Sequence, residues 1–385
     1  MGIRFIHTAD WQLGKAFARF DPALSGRLRA ERQDVIARIG TAARDADCRH
    51  ILVAGDVWDT TLPGHDVLRQ PLDIMAEFGE LIWWLLPGNH DRDDADGLWD
   101  RVEACGHDHI RPQRRAEPVE MEPGVWLLPA PWQRLHHGED LTRWMDGAQT
   151  PDGAIRIGLA HGGIRSFGTN DAGKNSGETD EIIPPDRAST AQLDYLALGD
   201  WHGRSSINQR THYSGTPEPD RHKVGDRGQI LCVEIASAGR NPIVTDIATA
   251  RFDWPVLTTP LRTGEIDEAI AAIRERVDAG QAARDTLVNI RVSGSASVAE
   301  WARFEQFVRE LSERCAHLEM RGQDDVDLRI VAEDLDALDA QGSVRAAAET
   351  LDGMRQDPTL SQAQRIEATD ALRQLFAFAA TDAAS

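Results

Sequence analysis

No Cys-x-x-Cys pair occurs in this chain, and its four cysteines, Cys48, Cys105, Cys232 and Cys315, stand far apart. That spacing excludes a zinc ribbon or a dithiol redox motif and fits reduced thiols in a cytoplasmic protein. Long apolar runs are missing too. The run at 81–86 has six residues and none is longer, against the roughly 20 that a membrane-spanning helix requires. The first ten residues hold no apolar stretch of signal-peptide length. Gly2 opens a myristoylation-like start, but Ile6 stands where Ser or Thr is required. A basic surplus is also absent: 42 Lys and Arg against 63 Asp and Glu give 42 − 63 = −21. This excludes the broad cationic surface of a free-standing nucleic-acid binder and adhesion to an anionic membrane. It leaves room for a protein that meets nucleic acid through a metal site or a more basic partner.

What is present is an ordinary globular composition, 41% hydrophobic and 27% charged over 385 residues, long enough for two to three domains. Short apolar runs at 4–7, 51–54, 81–86, 125–128, 155–160 and 195–198 read as buried strands. Val35, Ile36 and Ile39 fall at helical spacing within 27–46, and a second helix is expected over 67–78. The alternation predicts α/β layers around buried sheet over residues 1–250. Residues 162–177 read as a long polar loop. Residues 251–322 predict a small α+β unit, with strands at 252–261 and 287–292 and helices at 266–277 and 298–311. Residues 323–385 read as mostly helical and acidic, with 13 Asp and Glu against 5 Arg. In the last helix Ser361 and Gln364 form a capping box, and Ala368, Leu372, Leu375, Phe376 and Ala379 share one face.

Nearly every strand of the first 250 residues ends in a polar cluster: Asp10, Gly55-Asp56, Gly88-Asn89-His90-Asp91, His161-Gly162 and Gly199-Asp200-Trp201-His202. Ligands of α/β sheets bind outside the carboxyl ends of strands, so these loops can converge on one site. A single Asp after a strand is ordinarily a turn or helix cap. Five such clusters of carboxylate, amide and imidazole, with Asp59 nearby, point instead to a hydrolytic metal site. Two ions about 3.5–4 Å apart can hold both the attacking and leaving oxygens of a phosphate displacement.

The same residues resemble the calcineurin-like metallophosphoesterases. More closely, FIHTADWQLGK (5–15), VAGDVWD (53–59), LPGNHD (86–91), YLALGDWH (195–202) and YSGTPEPDR (213–221) resemble the SbcD-type nuclease subunits that act with SbcC-type ATPases in DNA double-strand break repair. The resemblance implies a four-layer αββα core, a small capping domain over 251–322 and a helical C-terminal segment over 323–385. It implies that Asp10 and His202 hold one metal, that Asp56 bridges, and that Asn89 and His161 hold the second. His90 would lie beside the scissile phosphate, with Asp91 orienting it. Manganese is the expected ion, with magnesium or iron as alternatives. DNA is the implied substrate, and a homodimer with an SbcC-like coiled-coil ATPase the implied assembly. Two positions depart from the family pattern. Gln12 and Asp200 stand where histidine ligands are usual, and both keep ligand-competent oxygens. That departure leaves two further readings, a phosphoesterase for nucleotides or other small phosphates and a catalytically attenuated scaffold.

Other features have plainer readings. Residues 168–174 nearly spell a phosphate-binding loop, but Asn175 lacks the required hydroxyl. His107-Asp108-His109 and the Arg111, Arg114, Arg115 cluster read as solvated surface, and Trp83 and Trp84 as core. His7 reads equally as core or as support for the metal residues. Trp11, Trp58 and Trp201 either wall the site or pack beneath it. The Leu372, Leu375, Phe376 face either folds back on the chain or, as the resemblance implies, docks on the ATPase coiled coil.

Overall fold

The computed structural model describes residues 2–95, 97–132, 139–164, 182–222, 227–329 and 342–382. The phosphate-loop-like 168–174 segment, and the polar loop expected around it beyond Ile164, lie outside the described residues. The chain divides into two units, Met1–Arg251 and Phe252–Ser385.

In the first unit β1 (Ile3–Thr8) leads through α1 (Pro22–Asp45), β2 (His50–Val53), α2 (His65–Ala76), β3 (Ile82–Leu85) and α3 (Leu98–Glu103) to β4 (Ile110–Pro112). Then come β5 (Val119–Glu122), β6 (Val125–Ala130), β7 (Ile155–His161), the small pair β8 (Gly163–Ile164) and β9 (Ile182–Ile183), and α4 (Arg187–Thr190). The unit closes with β10 (Tyr195–Gly199), β11 (Ser205–Ser206), β12 (Thr211–Tyr213), β13 (Gln229–Ile235) and β14 (Ile243–Ala248). Two six-stranded sheets result, ordered β14-β13-β1-β2-β3-β4 and β11-β12-β10-β7-β6-β5. The β1–β2–β3–β4 and β6–β7–β10–β12 pairings are parallel.

Alternation along each strand builds the layers. Phe5, Leu52, Trp84, Leu127, Ile157, Leu159, Tyr195 and Ala197 belong to one apolar cluster shared by strands of both sheets. Their neighbours Ile6, Ile51, Val53, Trp83 and Leu85 turn the other way, into a cluster with Val35, Ile36 and Ile39 of α1 and Leu68 and Leu72 of α2. Leu128, Ala160, Leu196 and Leu198 face a fourth layer around Ala188 of α4 and Met145. The order is therefore helix, sheet, sheet, helix, a mixed α/β architecture rich in parallel strands. His7 joins the sheets from within: its Nδ1 lies 2.9 Å from the Tyr195 hydroxyl and its Nε2 3.2 Å from the Leu198 carbonyl.

The second unit runs β15 (Val256–Leu261), α5 (Ile266–Asp278), β16 (Leu287–Ser297), α6 (Val298–Arg314), β17 (His317–Arg321) and β18 (Val326–Arg329). Among the described residues its strand pairings are parallel: β15 with β16, and β17 and β18 with successive halves of β16. Two helices follow, α7 (Ser343–Gln356) and α8 (Gln362–Asp382). The expected cap of α8 is present, with Gln364 N–H donating to Ser361 Oγ at 3.3 Å and Ser361 N–H to Gln364 Oε1 at 3.0 Å. One expectation is corrected here. Leu372 is buried in this unit's own core with Trp301, Phe304 and Phe307, Leu375 packs against it half-buried, and Ala368 is buried as well. The apolar face assigned to ATPase docking is thus spent on packing within the chain; the Phe376 side chain lies outside the described residues.

Candidate metal centre

The carboxyl ends of β1, β2, β3, β7 and β10 carry Asp10, Asp56, Asn89, His161, and Asp200 with His202. Parallel pairing puts these ends side by side. Backbone bonds then stitch the loops together: Asp10 N–H to the Gly55 carbonyl (3.1 Å), Gln12 N–H to that of Asp56 (2.9 Å), and Gly162 N–H to that of Gly199 (3.2 Å). Such contacts need missing side chains. A Cβ on Gly88 would sit 2.3 Å from Asp56 Oδ1, and one on Gly199 would sit 1.9 Å from the Ala54 carbonyl oxygen.

Asp10, Asp56 and His161 each offer a ligand atom within 4.8 Å of the others, and all three are buried. They are the one such group of three His, Cys, Asp or Glu side chains among the described residues. Asn89 Oδ1 lies 3.0 Å from His161 Nε2, and Asp56 Oδ1 3.5 Å and Asp200 Oδ1 3.9 Å from the same atom. His161 Nδ1 lies 2.9 Å from the Ala54 carbonyl, which can only accept. That contact makes Nδ1 the donor and leaves Nε2 toward the carboxylates. Asp200 N–H donates to Asp10 Oδ1 at 3.0 Å. Gln12 Nε2 donates to Asp56 Oδ2 at 2.7 Å, and its Oε1 is buried without a partner. Asp10, Gln12, Asp56 and Asp200 have φ of 56°, 48°, 55° and 94°, in the left-handed region that non-glycine residues avoid.

The electrostatics describe a site short of positive charge. Burial pushes Asp10 up to about 6, with Asp56 and Asp200 adding to the rise and His202 and His161 opposing it. Burial also raises Asp200. His161 would be lowered by burial, but the Asp56, Asp10 and Asp200 carboxylates outweigh that and raise it to about 9. Without a cation His161 keeps its second proton at neutral pH, and a divalent ion would displace it. Buried carboxylate oxygens, an imidazole nitrogen whose proton a metal would displace and an orphaned amide oxygen make a donor set that fits hard or borderline divalent metals.

The groups assigned to catalysis separate. The His90 side chain is 46% exposed, and its Nδ1 lies 3.4 Å from the Asp59 carbonyl and 3.7 Å from Asp59 Oδ1. Asp91 is fully buried and accepts from Gly88 N–H (2.7 Å) and Trp58 N–H (3.1 Å). Burial, reinforced by Asp56, pushes Asp91 up to about 7 against those two bonds. Asp91 therefore anchors the loop backbone, and Asp59 takes the place beside His90 that the sequence reading gave to Asp91. Asp220, missed from the sequence, lies with Oδ2 3.1 Å from His202 Nδ1 and 2.7 Å from Lys15 Nζ. Its only sequence signal is its place in 213–221. Thr216 Oγ1 donates to the Asp10 carbonyl at 3.0 Å.

The remaining sequence candidates lie elsewhere or are already engaged. Trp11 and Trp58 are core, and Trp201 packs half-buried on the outer layer. Arg114 is held by Asp93, Asp100 and Glu103, and Arg111 lies over Trp84.

A buried acid, amide and imidazole cluster at the strand ends of a two-sheet sandwich defines the phosphoester-hydrolysing class with a metal-binding site. The chain belongs to the calcineurin-like phosphoesterase family, whose sequence profile matches residues 3–224. It is similar to the SbcD component of the SbcCD nuclease of Bacillus subtilis (strain 168), 33% identical over 124 residues. That match spans 31% of this chain and only 30% of the relative. Among solved structures it is similar to TT1561 of Thermus thermophilus, with TM-score 0.40 and 11% identity, covering 64% of this chain and 99% of that one. It is also similar to the purple acid phosphatase PPD1 of yellow lupin, with TM-score 0.41 and 12% identity, covering 65% of this chain and 52% of that one. Among the described residues no helix is long and apolar enough to cross a membrane.

Proposed function

We propose that this chain is a metal-dependent DNA nuclease subunit of the SbcD type, working in the cytoplasm in DNA repair. The observation that carries the proposal is the convergence of Asp10, Asp56 and His161 within 4.8 Å. Asp10, Gln12 and His202 would hold one ion, Asn89, His161 and Asp200 the other, and Asp56 both; manganese is the first choice. Two ions bound there would supply Lewis acidity toward the phosphate and lower the pKa of an attacking water. The chain's own groups do the rest. His161 is fixed by the Ala54 carbonyl, so its Nε2 stays available to a cation. Asp91 pins the 88–91 turn, which carries Asn89 and His90. His90 keeps an exposed ring beside Asp59, and its free nitrogen would meet the departing oxygen of the cleaved phosphodiester. The SbcC-like ATPase partner and the homodimer rest on the resemblance and on the relative's name. With −21 net charge, the isolated chain needs such a partner for DNA affinity.

The test is hydrolysis of linear duplex and single-stranded DNA by purified protein in manganese. Cleavage is expected, with Asp56→Ala abolishing it and His90→Ala reducing it by about 10²-fold or more. Hydrolysis of nucleotides or other small phosphates with DNA left intact would replace the nuclease reading by a small-phosphate one. The Gln12–Asp56 bond favours a second reading, an attenuated scaffold, because it occupies an oxygen of the shared carboxylate. Gln12→His separates the two: activity arising from none marks the scaffold.

A further inference from the structure

We propose that Asp220 is a positioning residue: its buried carboxylate, 3.1 Å from His202 Nδ1, draws the ring's proton to that nitrogen and leaves Nε2 as the lone-pair nitrogen available to an ion. The inference rests on His202 being a metal ligand. Asp220 is 4% exposed and lies 18 positions after His202. Its Oδ2 is 3.1 Å from His202 Nδ1, 2.7 Å from Lys15 Nζ and 3.8 Å from the Arg32 guanidinium. A neutral imidazole has one N–H, and an ionised carboxylate can only accept. A carboxylate at Nδ1 therefore selects the tautomer whose Nε2 is bare, the form a metal requires.

The surrounding wiring makes the contact a built one. Thr216 N–H donates to the His202 carbonyl at 2.9 Å, while Thr216 Oγ1 holds the Asp10 carbonyl. Gly215, at φ +75°, has the His202 carbonyl oxygen and Arg204 N both 2.8 Å from where a Cβ would be, so the two turns approach as closely as backbone allows. Arg32, reaching from α1, donates to the Glu218 carbonyl at 3.1 Å and to the Trp11 carbonyl. One short segment, 214–220, thus ties together the backbone at Asp10, the His202 ring and the loop that carries Gln12. Lys15 and Arg32 compensate the charge that Asp220 brings into the interior, as a buried carboxylate requires.

The experiment is calorimetric titration of metal-free protein with manganese, for wild type, Asp220→Asn and Asp220→Glu, beside thermal melts. Asp220→Asn keeps the shape and removes the charge, and its manganese Kd is expected to rise about 10- to 100-fold, with Asp220→Glu recovering part of the loss. Unchanged affinity in a folded Asp220→Asn overturns the proposal. Nitrogen-15 NMR of histidine-labelled wild type, assigned with His202→Gln, gives an arm that needs no stable Asp220 variant. A proton on Nδ1 of His202 is expected whether the ring is neutral or charged, and a proton on Nε2 with Nδ1 bare overturns the proposal. Wild type that takes up no manganese defeats the metal-site reading itself, and the tautomer then decides the role of Asp220 separately.

Discussion

At the scale of single residues the site depends as much on absent side chains as on present ones. A Cβ at Gly88 would meet Asp56 Oδ1 at 2.3 Å and Asp56 N at 2.4 Å. Gly88→Ala is therefore expected to lower stability by about 1–3 kcal/mol, since a clash with backbone forces a local shift. The same shift is expected to move Asp56 and to weaken the manganese binding proposed above. Urea unfolding and calorimetry check both, and an unchanged pair of values would mean that the 88–91 turn moves aside freely. Asp10, Asp56, Asn89, His161, Asp200 and His202 were legible in the sequence because each follows an apolar run, usually beside a glycine. The partners of those residues were not. Asp59 beside His90 and Asp220 beside His202 depend on how loops approach one another and on side-chain rotamers, and no periodicity reports either. Asp91 misled for the same reason: adjacency to His90 in the chain does not place its carboxylate on that ring.

Among the elements, α8 decides between internal packing and partner docking. Leu372 is fully buried in the core of the second unit, so Leu372→Ala is expected to cost about 2–5 kcal/mol. Thermal melts and hydrogen exchange over α6 and α8 measure it. A loss under about 1 kcal/mol, below the usual range for a buried leucine, would return this face to the docking reading. Strands with continuous apolar runs, β1, β2, β3, β7 and β10, were predicted within two residues of their ends. Helix α1 begins five residues earlier than expected, because Asp21 caps the N–H groups of Ala23 and Leu24 and Pro22 takes the first helical position. β17 and β18 were not foreseen. They are short, mix charged with apolar residues, and become strands by pairing with successive halves of the long β16. Pairing partners outside the local window are what a sequence pattern omits.

For the molecule as a whole, His7 clamps the two sheets of the first unit together. Burial, with His212 and Arg204 adding to it, lowers His7 to about 3, against an opposing pull from the Leu198 carbonyl. The unfolded ring titrates near 6.5. Stability tied to its neutral form is thus complete above pH 6.5 and is lost as pH falls from there toward 3. One proton accounts for up to about 1.4 kcal/mol per pH unit. His7→Gln is expected to flatten the dependence of unfolding free energy on pH by about one proton between pH 6 and 4, read from urea titrations. Equal slopes in both proteins would deny the clamp a neutral histidine. The −21 charge, which by itself argued against nucleic acid, is also local in part. The 323–385 segment holds −8 of it, and Asp10, Asp56 and Asp200 are charges that a cation bound at the proposed site would offset.

The left-handed backbone at Asp10, Gln12, Asp56 and Asp200 bears on how such a chain drifts over generations. Each of these conformations costs on the order of 1 kcal/mol in a non-glycine residue, so the proposed ligands stand against the stability of the fold that carries them. Replacement by glycine would remove both the strain and the ligand, and selection for folding alone would erase the site from the inside. Gln12 is informative on that score. Its φ of 48° holds it in the same strained region, where glycine would sit at lower cost.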